Sequence, residues 1–227
     1  MTSEEERFDV LAVAAHAPDL QGLRRHLGDE LRGRVRGLRV IGKAVGLGAA
    51  AAGAATMRRI IQTSPRAVVL IGTCGVYPGH PDWQPHDIVV PPSVRLVDHA
   101  TMTGESTFPE PMWTEMRTHG PLSAGLVATR PRTHQVPVAS PLAITVDDRR
   151  ATGVTPHTGC VVENLEAFSV AHACHLGNIP FAAVLGVTHV VGSHGLEDWR
   201  RFGRDAAILA AEVLATWLHA GAQGLPH

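Results

Sequence analysis

The sequence predicts an α/β fold: a single domain over residues 1–227, with a central mixed β-sheet flanked by helices. Three observations predict it. Short apolar runs alternate along the chain with stretches of helical spacing. Several of those runs are almost continuously apolar, as in strands covered on both faces. The 227 residues are 44% apolar and 18% charged, enough for one large core, and no repeat or linker divides them.

The elements follow in order. Residues 8–15 (FDVLAVAA) read as a first strand, and residues 19–31 as a helix with Arg and Leu faces. Residues 36–45 (RGLRVIGKAV) read as a strand, broken by Gly46-Leu47-Gly48. Residues 49–63 are an Ala-rich helix, ended by Pro65. Residues 67–71 (AVVLI) read as a buried strand, and Gly72-Thr73-Cys74-Gly75 as a tight turn of small residues. Residues 87–90 (DIVV) read as a strand. Residues 101–135 are rich in Pro, Thr, Gly and His and lack periodicity; they read as a long excursion with one helix near residues 112–118. Residues 141–145 (PLAIT) and 159–162 read as strands, and residues 164–176 as a helix with an apolar face. Residues 181–187 (FAAVLGV) read as a buried strand, and residues 197–219 as a long amphipathic helix.

Charge and composition exclude several function classes. Lys plus Arg is 20 and Asp plus Glu is 21, which argues against nucleic acid or an anionic membrane as the main partner. No run approaches about 18 consecutive apolar residues, so no transmembrane helix is expected. The stretch from Met1 to Arg7 is acidic and polar, with no signal-peptide run behind it, and a cytoplasmic location is expected. Cys74, Cys160 and Cys174 are odd in number, widely spaced and in apolar surroundings, which suits buried thiols better than disulfides or a zinc site. The 14 histidines are scattered without metal-binding spacing, so no metal is expected.

In open α/β sheets ligands bind at the carboxyl ends of strands. Four places there carry polar residues. Thr73 and Gly75 follow the AVVLI run, where a glycine backbone can approach a ligand closely. Glu163, Asn164, Leu165 and Glu166 open a helix. Helix capping accounts for Glu163 and Asn164, but Glu166 faces the core side, where a buried carboxylate needs a partner. His189 ends the FAAVLGV strand, at a position where an imidazole can titrate near neutral pH. Asp19 follows the first strand, as a helix cap or as a site carboxylate.

In this order the segments resemble the nucleoside phosphorylase and nucleosidase superfamily, which includes purine and uridine phosphorylases and methylthioadenosine/S-adenosylhomocysteine nucleosidases. Gly46-Leu47-Gly48 with Ala49 to Ala52 resembles the family's S-G-x-G-x-x-x-A element. Gly72-Thr73-Cys74-Gly75 is similar to its G-[ST]-x-G, His86 to Val90 to its G-D-[IV]-V, and Glu163 to Ala167 to its ribose-binding [ED]-M-E-[AG]. Val76-Tyr77-Pro78-Gly79, and Val187 to Gly192 followed by Trp199, are similar to the futalosine hydrolase branch of the alternative menaquinone pathway.

The resemblance implies a nucleoside phosphorylase-like fold, a nucleoside substrate, no cofactor and a homodimer or higher homo-oligomer. It implies Glu166 at the ribose hydroxyls, His189 as imidazolium donating to the leaving base, and Asp19 at the attacking water. Thr73 and Gly75 would line the nucleophile floor, and Leu165, Glu163 and Asn164 the ribose side. Thr145, Val146, Phe168 and Tyr77 would lie near the base or ribose, and residues 101–135 would close the 5′ side. The chain also departs from the family. Leu70 stands where many phosphorylases carry a phosphate-binding Arg, and their Gly-Asp-x-x-x-Arg loop is not seen near residues 17–24. His189 replaces an Asp or Asn, and His194-Gly195 an Arg-Asp pair. Hydrolysis is therefore favoured. A phosphorylase drawing on Arg95 or Lys43, and a homologue that binds without cleaving, are the alternatives.

Overall fold

The computed structural model describes residues 7–227, so all of the acidic N-terminal stretch except Arg7 lies outside the described residues. In chain order the elements are β1 (Val10–Ala14), a 3₁₀ turn (Ala17–Leu23), α1 (Arg24–Leu27), β2 (Arg32–Val35), β3 (Leu38–Ala44), α2 (Ala49–Thr63), β4 (Ala67–Val76), β5 (Ile88–Val89) and β6 (Ser93–Leu96). They continue with α3 (His99–Met102), β7 (Glu115–Arg117), α4 (Gly120–Val127), β8 (Thr133–His134), β9 (Val138–Ser140), α5 (Asp148–Thr158), β10 (Val162–Glu163), α6 (Ala167–Leu176), β11 (Phe181–Val190) and α7 (Gly195–His219).

Among the described residues, 11 strands form one mixed sheet with the path β2-β3-β1-β4-β10-β9-β6-β7. β11 lies on the other side of β4 and carries β5 and β8. β1, β3, β4 and β11 run parallel to one another, and β1, β4 and most of β11 are buried along their length, as apolar runs covered on both faces. One face packs on α2 and α6 through Ile60, Phe168 and Val170. The other packs on α7, α4 and the 3₁₀ turn through Leu20, Leu122, Leu214 and Trp217. No helix among the described residues is long and apolar enough to cross a membrane.

α2 takes the predicted bounds. Gly48 precedes it at φ 78°, and Ser64 ends it in the left-handed region, just before Pro65. Elsewhere the structure corrects the expectations. The helix expected over residues 19–31 stops at Leu27, where Gly28 adopts φ 77°, and the chain turns back as β2 against β3. Residues 72–75 are not a turn: β4 runs straight through them to Val76, because β11 pairs with them throughout. Residues 141–145 are not a strand; β9 ends at Ser140, and the Thr145 N–H is taken by a side chain instead of a ladder. The helix expected near residues 112–118 is replaced by β7, which pairs with β6. α5 was not foreseen, since its Thr, Gly and Pro156 are poor helix formers; Asp147 caps it by accepting from Arg150 N–H at 2.8 Å.

Candidate active site

The site arises where the sheet splits. β4 pairs with β1 as far as Leu70 and with β10 only from Gly75 onward. Between them residues 71–74 lack a strand partner on that side, and a cavity of about 300 Å³ opens there. Its walls are the end of β1 with Asp19, the split region of β4, Glu163 to Glu166, the stretch around Thr145, and the end of β11 with the start of α7.

One wall is acidic. Glu166, 5% exposed, sits at the start of α6, and its Oε1 accepts from Gly48 N–H at 2.8 Å. Burial raises its pKa, against the pull of that N–H. Asp19 lines the same cavity, and burial pushes its pKa to about 6; His16 opposes the shift and the Glu166 charge adds to it. The two carboxylates therefore sense one another, and near pH 6 Asp19 exchanges a proton with solvent.

Asn164 holds the acidic segment in place. Its Oδ1 accepts from Glu166 N–H at 3.0 Å and Ala167 N–H at 2.8 Å, capping α6, and its Nδ2 donates to the free Thr73 carbonyl at 3.0 Å. Thr73 Oγ1 accepts from Trp199 Nε1 at 3.2 Å, which ties α7 to the cavity floor. Glu163 is consumed by structure. It accepts from Thr145 N–H at 3.0 Å, Thr145 Oγ1–H at 2.6 Å and Tyr77 O–H at 2.7 Å. Those three bonds fix the wall that carries Ile144 and Val146.

His189 forms the wall at the end of β11. Its ring lies so close to Gly75 that a Cβ there would be 2.5 Å from Nε2; Gly195 flanks it, and a Cβ there would be 2.8 Å from Cδ2. These glycines leave the space the imidazole fills. Burial lowers the His189 pKa below the usual histidine value, and Asp198 on α7 pulls the other way. At neutral pH the ring is mostly neutral, so the imidazolium expected from sequence is a state it reaches on acidification.

The cavity brings together Asp19, Thr73, Gly75, Thr145, Val146, Glu163, Asn164, Leu165, Glu166 and His189. It excludes Phe168, which points into the core, 6% exposed, with its ring stacked 5.9 Å from His172. Tyr77 is 1% exposed and supports Glu163 instead of lining the cavity. No residue of 101–135 lines it either: β7 lies at one end of the sheet path, β8 pairs with β5 beyond β11, and α4 packs against the α7 layer. Arg95 lines a second cavity, bonded to the Thr158 carbonyl and Glu115, and Lys43 is not among the lining residues. Sequence reasoning missed His16, Leu47, Ile144 and Leu196. His16 and Leu47 each follow a strand, and that position was the available signal.

The cavity thus opens where the mixed sheet splits, at the carboxyl ends of its parallel strands, flanked by buried Glu166, partly buried Asp19 and the His189 imidazole. The chain belongs to the phosphorylase superfamily, whose sequence profile matches residues 3–219. No curated protein matches the chain by sequence. Among solved structures, it is similar to the 5′-methylthioadenosine/S-adenosylhomocysteine nucleosidase of Neisseria meningitidis in complex with methylthio-immucillin-A: TM-score 0.82, 17% identity, 93% of this chain and 99% of that one. The adenine complex of the Colwellia psychrerythraea nucleosidase gives TM-score 0.84 at 18% identity, covering 97% and 98%. The futalosine hydrolase of Helicobacter pylori gives TM-score 0.83 at 14% identity, covering 96% and 100%. At these identities the likeness is one of fold.

Proposed function

We propose that this chain hydrolyses the N-glycosidic bond of a purine-type nucleoside, either futalosine-like or otherwise modified at the 5′ position. The observation that carries the proposal is the charge pattern of the cavity: carboxylates on one wall, an imidazole on another, and no Lys or Arg among the lining residues. A phosphate nucleophile would need a cationic or bidentate clamp, whereas water needs only an acceptor for its proton.

Glycosidic cleavage passes through an oxocarbenium-like state. Glu166, held by Gly48, places negative charge against the sugar without reorganising during the reaction. As the bond breaks, its electron pair goes to the base, and a base nitrogen takes a proton from His189 in its imidazolium form. Water adds to the anomeric carbon and gives a proton to Asp19, whose pKa of about 6 suits that exchange. The exposed apolar side chains of Leu47, Ile144, Val146 and Leu196 at the rim suit a base face or an apolar 5′ substituent.

Product analysis with a panel of purine nucleosides, with and without phosphate, tests the proposal. Base and the free sugar, with its 5′ substituent, are expected in both conditions. Ribose 1-phosphate formed only with phosphate would replace hydrolysis by phosphorolysis, and binding without base release would make the chain a non-cleaving homologue.

A further inference from the structure

β11 slips its register against β4 between Val187, which pairs with Cys74, and His189, which pairs with Gly75; Thr188 is the extra residue of a β-bulge. In a regular strand, neighbouring side chains point to opposite faces. Here Thr188 and His189 meet: Thr188 Oγ1 lies 2.6 Å from His189 Nδ1. The same Oγ1 lies 3.2 Å from the Cys74 carbonyl oxygen. Thr188 is fully buried, so water does not compete for either contact.

The donor and acceptor inventory then fixes the protons. A hydroxyl has one proton and a carbonyl can only accept. If Thr188 donated to Nδ1, its lone pairs would face the Cys74 carbonyl with nothing between them. Both contacts are satisfied in one arrangement: Thr188 O–H donates to the Cys74 carbonyl, and His189 Nδ1–H donates to Thr188 Oγ1. Nε2 is then the free ring nitrogen, bearing the lone pair of the neutral ring or the transferable proton of the imidazolium.

We infer that Thr188 is a positioning residue for His189, holding the Nδ1–H tautomer so that Nε2 is the atom that exchanges a proton with the leaving base. The inference rests on the nucleosidase function proposed above. In the step it serves, Nε2–H gives its proton to the base as the C–N electron pair leaves with that base. The ring is left neutral, with its remaining proton on Thr188. The charged groups around the ring are few. Asp198 of α7 acts on it directly; His16, Asp19, Glu163 and Glu166 line the same cavity; and the Cys74 thiol on β4 is held protonated by burial. Gly75, Val191 and Gly195 pack around the ring without charge. Thr188 Oγ1 is thus the neutral acceptor that keeps Nδ1–H satisfied in both protonation states.

The test uses ¹⁵N-histidine-labelled enzyme and two variants, Thr188→Val, which keeps the shape and removes the hydroxyl, and Thr188→Ser, which keeps the hydroxyl. Wild type and Thr188→Ser should show neutral His189 protonated on Nδ1 and bare on Nε2; Thr188→Val should lose that preference. Without an acceptor for Nδ1–H the imidazolium becomes harder to form. The alkaline limb of the pH profile of kcat/KM should therefore move down by about one unit in Thr188→Val, and kcat at neutral pH should fall about 10-fold with KM little changed. Thr188→Ser should restore both. A bare Nδ1 in the wild-type spectrum, or a Thr188→Val variant that melts earlier yet keeps the tautomer and the pH profile, would overturn the inference. The resting-enzyme spectrum needs no substrate. Failure of the wild type to release any base would count against the nucleosidase function, and the spectrum would still decide the role of Thr188.

Discussion

Replacing Asp19 by Asn removes a carboxylate that folding moves out of water and towards a second carboxylate. Its pKa rises from 3.8 to about 6, chiefly through burial. A carboxyl whose folded pKa is raised favours the folded state only while protonated. That contribution is complete below about pH 4 and is lost as pH rises through the window from 3.8 to about 6. Above pH 6 the charge therefore opposes folding. The shift is roughly 2 units, or about 3 kcal/mol at 1.36 kcal/mol per unit. Asp19 is only partly buried, and solvent screening brings this to about 2 kcal/mol. For a chain of this size that corresponds to a Tm increase of about 4–8 °C. Asp19→Asn should show that increase at about pH 8, show little of it at about pH 4, and lose most of its nucleosidase turnover. Thermal melts of both proteins at the two pH values, with turnover measured on the same samples, check this. An Asp19→Asn variant that melts at the wild-type temperature or below at pH 8 would refute the assignment of a desolvated, mutually repelling carboxylate pair.

Three further outcomes are expected. Glu166→Gln keeps an oxygen for Gly48 N–H but removes the charge proposed to face the sugar, so turnover should fall about 10²-fold or more while free-base affinity changes little; steady-state kinetics and base inhibition measure both. Gly75→Ala would set a Cβ 2.5 Å from His189 Nε2 and 2.7 Å from Val191 Cγ2, so turnover should collapse through displacement of the imidazole, with the far-ultraviolet circular dichroism unchanged. The chain should self-associate as a dimer, because exposed Ile61, Leu176 and Trp113 lie on or beside the paired helices α2 and α6; light scattering should give about twice 24.1 kDa.

Much of the fold was legible because its signals are local. The Ala-rich run between Gly48 and Pro65 specifies α2, and unbroken apolar runs mark β1, β4 and β11. The extension of β4 through Gly72 to Gly75 was not legible. Glycine suits a turn as well as a strand, and what decides between them is β11, over a hundred residues away. The same reason hides residues 141–145: their apolar pattern suits a strand, but Glu163 takes the Thr145 N–H that a ladder would need. In the site, the positions of Glu166 and His189 followed from their places beside strands. The engagement of Glu163 by Tyr77 and Thr145 did not, since no sequence pattern tells a ligand carboxylate from a bonded one. Phe168 shows the converse error, an apolar residue next to a site motif that turns into the core.

The central claim is that the cavity directs water to the anomeric carbon of a purine nucleoside. The most direct measurement is to run the reaction in ¹⁸O-labelled water with phosphate present and to analyse the sugar by mass spectrometry under conditions that suppress exchange at its anomeric carbon. The account predicts free sugar carrying one ¹⁸O atom, produced at a rate that phosphate does not change. Sugar recovered as its 1-phosphate, or no release of base from any purine nucleoside, would contradict it.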